Sequence, residues 1–214
     1  MIIIIMSTHD IPDDPDNYSM RGVATHEAGH FVAARALGFQ VNGLEVRRDP
    51  NRLRRDSYFY GDAETVIARP LADEQNLDLY LRHRVAILNA GAIAQAFDGA
   101  QVNERRLNSI RAHNGSDDLA KATEVFAVYL NCRLGLGKDE EYCSFEQWKT
   151  HPFWQECDEM ATEIVRENWS AIIRIVDHVV QVFKTRDCNL VGKSTAQIVE
   201  IGWGAADCDT SGAR

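Results

Sequence analysis

The segment VATHEAGHFVAARALG, residues 23–38, carries two histidines four positions apart, His26 and His30, with Glu27 directly after the first. An α-helix advances 3.6 residues per turn, so side chains 26 and 30 lie one above the other and their imidazoles can converge on one cation. Glu27 sits one step round the helix, about 100° from that line. From there its carboxylate reaches a water beside a metal more readily than the metal itself. Zinc lowers the pKa of a bound water to about 7, and a carboxylate base can take the proton as the water attacks a peptide carbonyl. The spacing His-Glu-x-x-His therefore implies two ligands and a general base on one helix.

A catalytic zinc takes three protein ligands and keeps one position open. No histidine follows His30 at the short distance that a third histidine of the metzincin type requires. The stretch HNGSDDLAKAT, residues 113–123, offers His113, Asp117 and Asp118 as candidates. Each aspartate has a plainer use as well. In the first turn of a helix it complements the macrodipole, worth about 0.3–1 kcal/mol. Spacing alone does not choose among the three. Gly29 costs a helix interior about 1 kcal/mol relative to alanine, so something is expected to pack closely against that turn, such as the neighbouring ligand-bearing helix.

The elements that must position these groups follow from pattern. Residues 1–16 read as a flexible leader, polar over 7–16. A helix begins near residues 17–19, where several residues can cap it, and stops at Gly38. Within it Val23, His26, His30, Ala33, Ala34 and Leu37 are expected to share one face. Residues 41–48 and 58–67 read as two strands of a hairpin or small sheet. Residues 72–97 have helical spacing, 98–116 read as a long polar connection, and 116–131 form a helix that Ser116 can cap. GLGKDEEYCS, residues 135–144, reads as a loop. One long helix or two spans 153–185, and Ser194 or Thr195 caps a last short helix. The expected organisation is a single domain over 17–203 with a flexible tail at 204–214. The class is mainly α with a small β-sheet, that is α+β.

Composition narrows the partners. The net charge of −9 argues against nucleic acid and against docking on an anionic membrane. The apolar run of MIIIIM is far shorter than the ~20 residues of a membrane span. It lacks the basic flank and cleavage site of a secretory signal, so a short edge strand or frayed terminus is expected. Five cysteines, an odd number with no Cys-x-x-Cys pair, read as free thiols in a reducing compartment. Together these features imply a cytoplasmic protein.

THEAGHFVAARALG resembles the zinc helix of the FtsH-family metallopeptidases, the protease domain of membrane-anchored AAA proteases. VNGLEVRR (41–48) sits where that family has a strand. AGAIAQAFDG (90–99) resembles its AGR-x-AEE segment, and GSDDLAKATEVF (115–126) resembles the segment that carries its third zinc ligand. LVGKSTAQIVEI (190–201) looks like its closing helix. The resemblance implies a zincin-like helix bundle of the FtsH protease-domain type with Zn2+ as cofactor. It makes His26, His30 and Asp118 the metal ligands and Glu27 the general base, with Asp117 in the place of a preceding asparagine. Ala92, Gln95 and Ala96 depart from the family's arginine and two glutamates, which leaves the ligand set intact.

There is no Walker-type Gly-x-x-x-x-Gly-Lys; GLGKD (135–139) lacks the spacing and the hydroxyl residue. The expected activity is thus ATP-independent by itself, on peptides, loose termini or unfolded segments, unless a separate ATPase partner delivers targets. An extended polypeptide substrate could pair with a sheet edge in 41–48 or 58–67, with Tyr58, Phe59 and Tyr60 beside it. Two rivals stand beside this reading. One is a zinc-stabilised domain that binds polypeptide without cutting it, against which the intact Glu27 counts. The other is a regulatory HExxH peptidase of another family, whose third ligand would be His113 or an acid in 140–167.

Overall fold

The computed structural model describes residues 15–48, 59–68, 70, 71, 73–134, 145–186 and 190–204. A 3-10 turn at Pro15–Tyr18 leads into helix α1, Met20–Ala36. Ser19 starts α1: its backbone is extended and its side-chain oxygen accepts from the Gly22 N–H at 3.0 Å. Loss of such a cap costs about 1 kcal/mol. Leu37 and Gly38 close the helix, Gly38 in the left-handed region at φ +75°.

Strands β1 (Gln40–Arg48) and β2 (Phe59–Val66) follow and pair antiparallel, Leu44 opposite Ala63 and Val46 opposite Gly61, with an irregularity between Val41 and Gly43. This is the hairpin expected from 41–48 and 58–67. Helices α2 (Glu74–Ala96), α3 (Glu104–Ala112), α4 (Ser116–Leu134), α5 (Phe145–Trp148), α6 (Pro152–Glu167) and α7 (Trp169–Arg186) come next. The chain closes with strand β3 (Leu190–Ser194) and helix α8 (Thr195–Trp203). The sheet order is β2-β1-β3, antiparallel throughout, which leaves β2 at one edge. A mainly helical α+β fold is therefore present.

Helix α1 is the centre of the molecule. It packs on α2, α6 and α7 and on both strands of the hairpin. All residues from 22 to 34 are buried. The single buried face expected from its pattern is thus too narrow a description: residues opposite the histidine stripe are enclosed as well, and Leu37 on the stripe is only half-buried. A helix enclosed on every side has small or apolar residues all round, as the alanines and glycines of α1 show. The close approach expected at Gly29 is present. A Cβ there would lie 2.6 Å from the Ala90 carbonyl oxygen and 2.6 Å from the Ala94 Cβ, both on α2.

Two further expectations are corrected. Residues 98–116, read as a long polar connection, contain α3. Asn103 caps it by accepting from the Arg106 N–H, and Leu107 and Ile110 are buried on its inner face. Its composition looks polar because Glu104, Arg105 and Asn108 form an exposed face, and because the buried Arg111 is held by Asp158 of α6 at 2.8 Å, a pairing no local pattern reveals. Residues 190–194 form a strand instead of simply preceding a helix. Val191 pairs with Val46, so β1 supplies the edge that turns this short stretch into β3.

The expected last helix does follow, with the Ser194 N–H donating to the Gln197 side chain at 3.2 Å. The stretch 153–185 is two helices, parted at Asn168, whose N–H bonds to Ile164 and whose carbonyl accepts from Ala171 and Ile172.

Apolar side chains from α1 to α8 and all three strands gather in one core, with Phe31, Phe126, Phe153 and Trp154 among its largest members. Among the described residues, Cys132 and Cys157 are free, and no helix is long and apolar enough to cross a membrane. The apolar start, the GLGKD stretch, Tyr58 and residues 205–214 lie outside the described residues.

Candidate metal centre

His26 and His30 face α2, which runs antiparallel to α1: His26 meets Gln95, and His30 meets Ile87. These contacts settle which ring nitrogens carry protons. The Ile87 carbonyl can only accept, so His30 Nδ1–H donates to it at 2.7 Å. The Gln95 amide nitrogen donates to the Asn17 carbonyl at 3.0 Å, which turns its oxygen toward His26. His26 Nδ1–H therefore donates to Gln95 Oε1 at 3.1 Å. Asn114 reinforces the arrangement by donating to both the Asn17 carbonyl and Gln95 Oε1, each at 3.1 Å. With both Nδ1 atoms committed as donors, both Nε2 atoms face the same point. Partners of this kind fix ring orientation and basicity in metal sites.

At that point lies Asp118, in the first turn of α4. Its Oδ2 is 3.0 Å from His26 Nε2 and 3.1 Å from His30 Nε2. The ligand atoms of the three residues all lie within 4.8 Å of one another. An imidazole lone pair repels a carboxylate oxygen at this distance unless a proton or a cation lies between them. Tetrahedral zinc at ~2.0–2.1 Å from each ligand would space them by about 3.3 Å, close to the two nitrogen–oxygen separations here. The donor set of two imidazoles and one carboxylate, each free to bind through one atom, thus fits a divalent zinc ion.

The electrostatics agree. Burial opposes ionisation of Asp118, but the adjoining imidazoles, His30 foremost, outweigh it and hold the carboxyl well below the usual carboxylate range. Burial works against protonation of His30, yet the Asp118 charge and hydrogen bond raise its pKa. Glu27 is different: burial dominates and pushes it up to about 7, with the His26 charge opposing and the Asp118 and Asp62 charges adding. Only 8% of Glu27 is exposed. Its carboxyl lies against β2, where Gly61 leaves the room; a Cβ at 61 would sit 2.4 Å from Glu27 Cγ.

These groups open into a cleft of about 570 Å³ bounded by α1, α2, the start of α4 and β2 from Phe59 to Thr65. Asp117 lines the cleft but does not join the ligand cluster. His113 is turned away, its Nδ1 bonded to the Ser109 carbonyl at 2.8 Å. Phe59 is buried beside Phe183, whereas Tyr60 is exposed on the strand.

Sequence reasoning missed the supports: Gln95, Asn17, Asn114 and, above all, Gly91. A Cβ at 91 would lie 2.3 Å from His30 Nε2, 2.5 Å from His30 Cε1 and 2.8 Å from His26 Cδ2. A glycine inside an otherwise strong helix was the available signal. No protein-family model matches the chain, and no curated protein matches it.

Proposed function

We propose that the protein is a zinc-dependent peptidase of the FtsH type that hydrolyses peptide bonds in peptides or unfolded segments. The observation that carries this reading is the convergence of His26 Nε2, His30 Nε2 and Asp118 Oδ2 beside a buried Glu27, at the foot of a cleft walled by an edge strand. The resemblance of residues 23–38 and 115–126 to the zinc helix and third-ligand segment of that family supports the same ligand set. So does the packing of the ligand helix against a small antiparallel sheet. Gln95 stands where the family has a carboxylate, and its amide oxygen still accepts from the His26 Nδ1–H, as a neutral and therefore weaker acceptor.

When bound, zinc would supply Lewis-acid chemistry and a water acidified to a pKa of about 7. The chain's own residues do the rest. Glu27, buried beside the ligand cluster, accepts the proton of the attacking water and passes it to the departing amine. Gln95 and the Ile87 carbonyl keep the two imidazoles from turning. The outer edge of β2 receives the substrate backbone as an added strand, which gives affinity with little regard to sequence. Such an enzyme works on already unfolded chain, and a separate ATPase is the partner that would extend it to folded targets.

The test is metal analysis joined to cleavage of an unfolded casein. About one zinc per chain is expected, and Glu27→Gln should keep the metal while losing at least a hundredfold in rate. Equal cleavage by wild type and Glu27→Gln would defeat the peptidase reading. Zinc uptake with no cleavage of a broad peptide library would favour a zinc-stabilised polypeptide-binding domain.

A further inference from the structure

Arg84 is the feature of the cleft that neither the metal centre nor the base uses. It is half-buried in the cleft wall, on the same stripe of α2 as Leu88, Gly91 and Gln95, the stripe that carries the metal centre. Among the described residues no hydrogen bond or ion pair holds its guanidinium, and burial pushes its pKa below the ordinary arginine value. Other arginines of the bundle are engaged. Arg82 pairs with Asp78 and Glu156, and Arg111 with Asp158. A guanidinium taken partly out of water without a partner is costly, and its planar fork of donors matches a carboxylate.

Burial is opposed by Tyr80 and by the Asp118 charge, and a bound metal would claim Asp118. The carboxylates of Asp62, Glu64 and Asp117 line the cleft without pairing with Arg84. Their presence favours a singly charged ligand over a dianionic phosphate. Lys121 also lines the cleft, but it is exposed to solvent.

We propose that Arg84 is a specificity residue that receives one carboxylate of the bound polypeptide, an acidic side chain or a free C-terminus, close to the bond that is cut. Arg84 lies seven positions before Gly91, on which the His30 ring rests. Seven helical residues span about 10 Å, the length of about three residues of extended chain. The carboxylate is thus expected within about three residues of the scissile bond. This inference rests on the peptidase reading, and the test separates the two.

The probes are fluorescent peptides of one unfolded scaffold in which a single Glu is moved along the three positions on either side of the cleaved bond. Each has a Gln control, and each is made as free acid and as amide. Cleavage by zinc-loaded wild type and Arg84→Gln is measured, together with anisotropy binding to zinc-loaded Glu27→Gln and Glu27→Gln/Arg84→Gln. Zinc content and far-ultraviolet circular dichroism confirm that each variant is folded. At one position the Glu peptide should be preferred about tenfold, through KM more than kcat. Arg84→Gln should abolish the preference while leaving the Gln peptide within about twofold. A preference that follows the terminus instead of the Glu identifies the C-terminal carboxylate as the ligand.

Absence of any charge preference in wild type overturns the inference. So does an equal loss for Glu and Gln peptides in Arg84→Gln, which would mean that the guanidinium holds main chain or shapes the wall. Arg84-dependent binding of acidic peptides without cleavage would sustain the inference and remove the peptidase reading. Neither binding nor cleavage would overturn both.

Discussion

Gly91→Ala puts one methyl group under both imidazoles. The added Cβ would meet His30 Nε2 at 2.3 Å and His26 Cδ2 at 2.8 Å, where non-bonded contact needs about 3.5 Å. The overlap with His30 is thus about 1.2 Å, and two movements could relieve it. The His30 ring could swing, which breaks its 2.7 Å bond to the Ile87 carbonyl. Alternatively α1 and α2 could separate, which opens the seam that Gly29 closes against Ala90 and Ala94. Overpacking of this kind costs about 1–3 kcal/mol, and alanine returns about 0.5–1 kcal/mol of helix propensity.

Metal-free Gly91→Ala should therefore fold with a net loss of about 0–2.5 kcal/mol. Zinc binding should suffer far more. Zinc–ligand distances tolerate about 0.2 Å, and a nitrogen displaced by about 1 Å is no longer a ligand. Affinity should fall at least a hundredfold, beyond the 10–100-fold cost of losing an outer partner. Chelator competition for zinc and denaturant unfolding in EDTA measure the two effects on the same samples. Gly29→Ala is the control: it crowds the same helix seam at the Ala90 backbone and the Ala94 side chain, so its loss should appear mainly in stability. Zinc held by Gly91→Ala as tightly as by wild type would show that the two rings do not meet the metal from the positions described.

Asp118→Ala should release zinc, because it removes the atom both Nε2 groups face, whereas Asp117→Ala should keep it within a few-fold; metal titration distinguishes them. Gln95→Ala should weaken zinc about 10–100-fold without loss of fold, since it frees the His26 ring, and chelator competition reads this directly. In EDTA, Glu27 gives a pH signature. Its carboxyl titrates at 4.5 when exposed and at about 7 in the fold, so the unfolded chain sheds the proton first as pH rises. Stability is then unpenalised below pH 4.5 and falls between 4.5 and 7, by about 3 kcal/mol in all. Asp118 and His30 titrate in both proteins, so the difference between wild type and Glu27→Gln in urea unfolding isolates this term. Glu27→Gln should be the more stable above pH 7 and no more stable at pH 4.

The linear sequence determined the local half of the site. Four-residue spacing on a helix brings two imidazoles to one side whatever surrounds them, and the adjoining glutamate is fixed by the same geometry. Helix starts were legible where a side chain bonds backbone within the first turn, as Ser19 accepts from Gly22 and Gln197 from Ser194. What lay across long separations was decided by packing. Asp118 could equally have served the α4 dipole, and only the docking of α4 on α2 brings it to rings 92 and 88 residues away. Polar α3 escaped notice because most of its charge lies on a solvated face and its buried Arg111 is paired only by Asp158 of another helix, and β3 exists because β1 offers an open edge. Gly91, Gln95 and Arg84 acquire their meaning from their common stripe on α2, which faces α1 and the cleft. The physical reason is range: spacing and capping act over one or two turns, whereas metal geometry, desolvation and steric room depend on surfaces that meet only when the chain has folded.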